Sequence, residues 1–128
     1  MEIYCKDQKM LNIAIGLAEQ LKISDEHNVT VYIKRLPPSF KQKGIIEYPR
    51  HFKEETHIDI YIKYDSERYT TLAHEMVHVK QFAKGELDPA MTRWKSNRYV
   101  DHIEYWDQPW EKEARRLQNK LVLEFEEE

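Results

Sequence analysis

The stretch Thr70–Lys84, TTLAHEMVHVKQFAK, decides how this chain is read, and within it His74-Glu75-Met76-Val77-His78 has the form H-E-x-x-H. Leu72, Met76, Val79 and Ala83 recur at i, i+4, i+7 and i+11, the apolar stripe of a helix. Ala73 and Val77 add apolar surface beside the histidines. A helix apolar on more than one side belongs inside a fold, so His74 and His78 are expected in a cleft or partly buried. Positions i and i+4 of a helix lie one above the other, and two imidazoles so placed can reach one metal ion. Glu75 lies about 100° round from His74, near enough to hold a water beside that ion without ligating it. The pattern suits a divalent metal held by two histidines, with a carboxylate as general base. On a solvated helix face the same residues would be ordinary surface side chains; the apolar surroundings argue against that.

Outward from this helix, the preceding segment His57–Tyr64, HIDIYIKY, alternates strictly, Ile58, Ile60 and Ile62 opposing Asp59, Tyr61 and Lys63. It predicts a strand with one buried face. Asp65 or Ser66 can cap the helix that follows, and Gly85 suits its C-terminal stop. Upstream, Lys6–Ile23 has helical spacing through Met10, Ile13, Ala14, Leu17, Ala18 and Leu21. Val29–Leu36 alternates as a strand and ends at Pro37-Pro38. Ile45–Tyr48 reads as a short strand before Pro49, and Arg50–Thr56 as a charged turn or hairpin connection. Downstream, Glu86–Pro109 has no clear period but is rich in aromatics, and reads as a functional loop. Pro109 can open a last helix, along which Trp110, Ala114, Leu117 and Leu121 form a packing stripe. The expected architecture is α+β over residues 1–128 as a single domain. It has an N-terminal helix, about three strands in a mostly antiparallel or mixed sheet, the central H-E-x-x-H helix, an aromatic loop and a C-terminal helix.

Composition bounds the rest. The chain has 128 residues, a net charge of −3 and 34% charged residues, with eight Tyr, three Trp and four Phe to build a core. That balance gives no basic excess for a nucleic-acid partner; Lys34, Arg35, Lys41, Lys43, Arg50 and Lys53 are read as a solvated face. A single Cys5, no signal-peptide pattern and no apolar run of membrane-spanning length lead to the expectation of a cytoplasmic protein without a membrane partner.

A metal site that also does chemistry needs a third protein ligand. A G-x-x-H continuation would put histidine at position 84, which is Lys84, so that class is excluded. Glu86, Asp88, Asp101, His102, Glu104, Glu111 and Glu113 remain. Glu86 and Asp88 would have to double back from the helix end. Glu111 and Glu113 sit on a helix, which places a ligand more rigidly than a loop, and flank its apolar stripe on opposite edges, so periodicity does not choose between them.

HEMVHVKQ followed by PWEKEA resembles the minimal zincin-like metallopeptidases whose third ligand is a glutamate, the gluzincins. The element order is similar to the compact domains of the ImmA/IrrE and SprT-like groups and of small phage-encoded metallopeptidases. In several such families a later helix carries E-x-x-A, whose first glutamate binds the metal. Here that motif is Glu111-Lys112-Glu113-Ala114, so the resemblance implies Glu111 as the ligand. It covers chiefly Ile58–Leu117, and Arg115 stands where the common motif continues with Asp.

Together these readings give a mononuclear zinc hydrolase with one Zn²⁺ per chain. His74, His78 and Glu111 are the ligands, Glu75 the general base, and a peptide bond in a specific protein the substrate. Tyr105, His102, Tyr99 and Arg98 are candidates for contacting the oxyanion or substrate, although Tyr in such a loop also serves simply to close a small core. Gln81, one turn past His78, is either its partner or a surface residue. Gly44–Tyr48 is the candidate edge strand for an extended peptide. The alternative is a non-catalytic, zinc-stabilised interaction or regulatory module; Glu75 speaks against it, because a structural site has no use for a carboxylate beside the water.

Overall fold

A computed structural model describes residues 1–52, 54–95, 97–98 and 104–126. Its elements are β1 (Glu2–Cys5), α1 (Gln8–Gln20), β2 (Val29–Arg35), β3 (Gly44–Ile46), β4 (Arg50–Phe52), β5 (Glu55–Ile62), α2 (Arg68–Ala83), β6 (Arg93–Trp94), β7 (Asn97–Arg98) and α3 (Pro109–Glu126), with short 3₁₀ turns at Asp25–His27 and Tyr105–Asp107. The α+β class and the mixed sheet agree with the sequence reading. The strand number differs, since the main sheet has five strands, not about three.

β1, β2 and β5 run parallel, in that order. The far side of β5 is shared by β4, against its first residues, and β3, against its last, both antiparallel. The two unforeseen strands are β1, whose EIYC is too short to establish a period, and β4, a charged segment that pairs back on β5. The register aligns Ile3, Val31 and Ile58 in one row across the sheet, and Cys5, Ile33, Ile60 and Ile46 in the next. In a pleated sheet such rows share a face, and here they meet the helices: Ile58, Ile60 and Ile62 lose all exposure. Each such burial is worth roughly 1.5–3 kcal/mol.

One cluster of buried side chains extends from Met10 of α1 through β2, β5 and α2 to Val122 of α3. Within it α2 is enclosed, touching α1, β3, β5 and α3, which is why its apolar residues are not confined to one stripe. Its start is set by Asp65, whose Oδ1 accepts the Glu67 backbone N–H at 2.8 Å; Glu67 is the N-cap, one residue past the positions expected. Its end is a Schellman closure: Glu86 N–H bonds Gln81 O at 2.9 Å, Gly85 N–H bonds Phe82 O at 3.2 Å, and Gly85 has φ +70°. A residue with a Cβ would be strained there.

Among its described residues, the aromatic segment after α2 forms structure the sequence did not suggest. β6 and β7 form a hairpin, Leu87 bridges to Trp94, and Leu87, Trp94 and Trp110 make a small second core. Tyr99 and His102, two candidate site residues, lie outside the described residues, as does Asp101.

Candidate metal centre

Three elements build the site. α2 carries His74 and His78 on one side, one turn apart, their ring centroids 5.0 Å from each other. α3 crosses α2 with Ala114 wholly buried at the contact, and this small residue lets Glu111, one turn earlier, reach between the histidines. Glu111 Oε2 lies 3.0 Å from His74 Nε2, and Glu111 Oε1 lies 2.9 Å from His78 Nε2. Each of the three residues offers a ligand atom within 4.8 Å of the others'. Atoms that close can share an ion, given metal–ligand bonds near 2 Å. Among the described residues this is the group of histidines and carboxylates with that geometry.

The outer ring nitrogens are also held. His74 Nδ1 lies 2.6 Å from Gln118 Oε1, and His78 Nδ1 lies 2.7 Å from Gln81 Oε1. Every imidazole nitrogen of the pair therefore faces an oxygen. A neutral imidazole has only one N–H, so two neutral rings would leave lone pairs facing lone pairs. The arrangement is satisfied by positive charge on the Nε2 side, as protons or as a cation. The ionisation of the metal-free site follows this logic. Burial is the strongest single influence on both histidines and opposes their charged form, but hydrogen bonding to Glu111, the charge of Glu75 and the glutamine partners together exceed it and raise their pKa. Burial likewise pushes Glu111 upward, yet hydrogen bonds to His74 and His78 hold it well below the carboxylate range.

Glu75 occupies a different environment beside them. It is 6% exposed and its Oε2 has no hydrogen-bond partner. Burial pushes its pKa up, against the histidines' pull downward. Above it, β3 passes so close that a Cβ on Gly44 would lie 2.6 Å from Thr71 Cγ2 and 3.1 Å from Glu75 Oε1. Glycine is required there by the close approach.

A cleft of about 340 Å³ opens on His74 and Glu75, bounded by Gly44, Thr71, Tyr105 and Gln118. Tyr105 sits at its edge, half-exposed. Burial and a hydrogen bond to Glu111 hold its hydroxyl protonated far above the ordinary range. The turn that carries Tyr105 is tied to α3 by Arg115, whose Nη2 donates to Trp106 O at 2.6 Å while its guanidinium lies 4.3 Å from the Trp106 ring centre.

Among the described residues, three other third-ligand candidates, Glu113, Glu86 and Asp88, are engaged elsewhere, while Asp101 and His102 lie outside those residues. Glu113 Oε1 lies 2.7 Å from Lys80 Nζ and accepts from Gln81 Nε2 at 3.0 Å. Glu86 pairs with Lys80 at 2.8 Å. Asp88 accepts the backbone N–H groups of Thr92 and Arg93 at 2.6 Å each. Glu104 is exposed at the start of the Tyr105 turn. Sequence reasoning placed Gly44 in the candidate edge strand but missed its close approach to Thr71 and Glu75, and it missed Gln118 and the role of Arg115. Gln118 had a signal, seven residues after Glu111 and so two turns along the same face.

No protein-family model, curated protein or solved structure matches the chain.

Proposed function

We propose that this chain is a zinc-dependent metallopeptidase of zincin-like fold, which hydrolyses a peptide bond in a specific protein substrate. The observation that carries the reading is the meeting of His74, His78 and Glu111 around one point, with the unpartnered carboxylate oxygen of Glu75 buried beside them at the cleft. Two imidazoles and a carboxylate are a zinc donor set. A dication on the Nε2 side also removes the acceptor-to-acceptor conflict that two neutral rings would suffer. His74 Nε2, His78 Nε2 and the Glu111 carboxylate would hold one zinc per chain. Zinc, when bound, supplies Lewis acidity that acidifies water and polarises a carbonyl.

The chain's own residues do the remaining work. Glu75 takes a proton from the attacking water and returns it to the leaving amine. A carboxyl made more basic by burial suits the first half of that task. Tyr105 brings a protonated hydroxyl to the cleft's edge, placed to donate to the developing oxyanion. β3 has no strand on its outer side among the described residues. Its flanking groups bond inward, Glu47 N–H to Asp59 O of β5 and Lys43 O to the N–H of Lys63 just past β5, so alternation turns the backbone groups of Gly44 and Ile46 outward. An extended peptide pairing there would lie along the cleft. No helix among the described residues is long and apolar enough to cross a membrane. A cytoplasmic setting, with neither nucleic acid nor membrane as partner, belongs to the same proposal.

Cleavage of a peptide library by the zinc-loaded chain tests it, with Glu75→Gln as the inactive control. Cleavage by the wild type alone is the expected result. Equal cleavage by both would exclude Glu75 as the base, and none by either would leave a zinc-stabilised binding module.

A further inference from the structure

Gln81 is wholly buried and joins the two helices that carry the metal ligands. Its Nε2 donates to Trp110 O at 2.9 Å and to Glu113 Oε1 at 3.0 Å. Both partners are pure acceptors, so the amide nitrogen must face them, and the amide orientation is determined. Oε1 then faces His78 Nδ1 at 2.7 Å. An amide oxygen cannot donate, so the hydrogen in that contact has to sit on Nδ1. The neutral His78 ring is thereby held as the Nδ1–H tautomer, its Nε2 lone pair aimed at the shared point. Glu111 alone would favour the opposite tautomer, because its Oε1 lies 2.9 Å from Nε2 and would accept an N–H there.

The same side chain fixes a second coordinate. Trp110 and Glu113 flank Glu111 on α3, one residue before it and two after. A single amide thus holds the α2 ligand at one end and the segment bearing the α3 ligand at the other. Gln118 does half of this for His74, with Oε1 lying 2.6 Å from Nδ1.

We infer that Gln81 is the positioning residue of the centre: it sets the His78 tautomer and registers Glu111 against it through Trp110 and Glu113. This rests on the metal reading above but makes a claim the metal reading does not require. A ligand histidine needs some partner for its second nitrogen; here that partner also ties down the other ligand's helix.

The test uses the full chain as wild type, Gln81→Met and Gln81→Glu. The His78 tautomer is read by ¹⁵N NMR of the metal-free protein at alkaline pH, and zinc affinity by chelator competition. Methionine matches the shape and removes both polar ends. Glutamate keeps an acceptor for Nδ1–H but loses the donors to α3. The wild type and Gln81→Glu are expected to carry the hydrogen on Nδ1, and Gln81→Met to move it to Nε2, toward Glu111. Gln81→Met is expected to bind zinc about 10–100-fold more weakly than wild type. A residue that merely filled the core would leave the tautomer unmoved. The inference is overturned if wild-type His78 carries Nε2–H, if Gln81→Met keeps Nδ1–H, or if that variant binds zinc within about twofold of wild type, a change small beside the expected loss. A wild type that takes up no zinc would sink the metal reading, and the tautomer would still decide the role of Gln81.

Discussion

Glu111 Oε1 lies 2.9 Å from His78 Nε2. Two residues on, Glu113 turns to the far edge of α3 and pairs with Lys80 at 2.7 Å. The two glutamates therefore respond differently to removal. Glu113→Ala is expected still to take up one zinc on reconstitution, less tightly because Gln81 loses one of its two acceptors on α3, and to lose about 1–3 kcal/mol of stability, since a buried Lys80 loses one of its two carboxylate partners. Chemical denaturation beside a metal assay separates the two outcomes; a Glu113→Ala protein that is stable but empty would reverse the assignment.

Gly44→Ala should harm the site without touching a ligand. The new methyl would meet Thr71 Cγ2 at 2.6 Å and Glu75 Oε1 at 3.1 Å. Thr71 is β-branched and stiff at χ1, so β3 or Glu75 has to shift, at a cost of about 1–3 kcal/mol for an overfilled contact. Zinc content should be unchanged and peptide cleavage reduced at least tenfold; full activity would mean that the close approach of β3 is not needed for the placement of Glu75.

The pH dependence of stability is expected to change sign with zinc. In the metal-free chain the pKa values of His74 and His78 are raised above 6.5. Their contribution is therefore complete below pH 6.5 and is lost as pH rises through the folded values. The upward shift of Glu75 acts in the same direction. Glu111, held below its ordinary 4.5, contributes above that pH and loses its contribution as pH falls through its folded value. The metal-free contribution of His74, His78 and Glu111 together is thus greatest between about pH 4.5 and 6.5, while that of Glu75 declines from about pH 4.5 upward. With zinc, protons compete with the ion for both histidines, so the Tm gained on adding zinc should grow with pH across neutrality. Thermal melts in chelator and in zinc, from pH 5 to 8, would show this; a zinc-induced gain that falls with pH would contradict it.

Tyr105 offers a graded test of the cleft. Tyr105→Phe removes the hydroxyl but keeps the ring, and should leave zinc bound. If the hydroxyl serves the oxyanion, kcat should fall by roughly 10²–10³. Arg115→Ala, which removes the tie from α3 to Trp106 O in the turn, should give a smaller fall in the same direction. Unchanged kcat in Tyr105→Phe would reduce Tyr105 to a wall of the cleft.

The parts of this architecture that were readable from residues are those where one face is buried and the other is not. HIDIYIKY alternates because Ile58, Ile60 and Ile62 all face the helices, and α3 shows its stripe because Trp110, Ala114 and Leu121 pack on one side. β1 and β4 were not readable, because their pairing with β2 and β5 is tertiary and their own segments are too short or too charged to show a period. The two histidines were visible as a pair because they lie on one helix at a spacing the helix itself dictates. Glu111 against Glu113 could not be decided from periodicity, since both flank the stripe; the crossing of α3 over α2 decides which one meets the histidines. Gln118 and Gly44 depend on the same packing. Arg115, a departure from the resembled motif, finds its partner in a turn whose position no local pattern predicts.

The central claim is that His74, His78 and Glu111 hold one metal ion beside Glu75. Elemental analysis of the purified chain, after reconstitution with zinc and removal of excess, tests it most directly in wild type, Glu75→Gln and Glu111→Ala. One zinc per chain in wild type and in Glu75→Gln, with loss in Glu111→Ala, is the predicted result. A wild type that holds no zinc after reconstitution would contradict the account, and the H-E-x-x-H helix would then be a core helix whose histidines are simply paired with a glutamate.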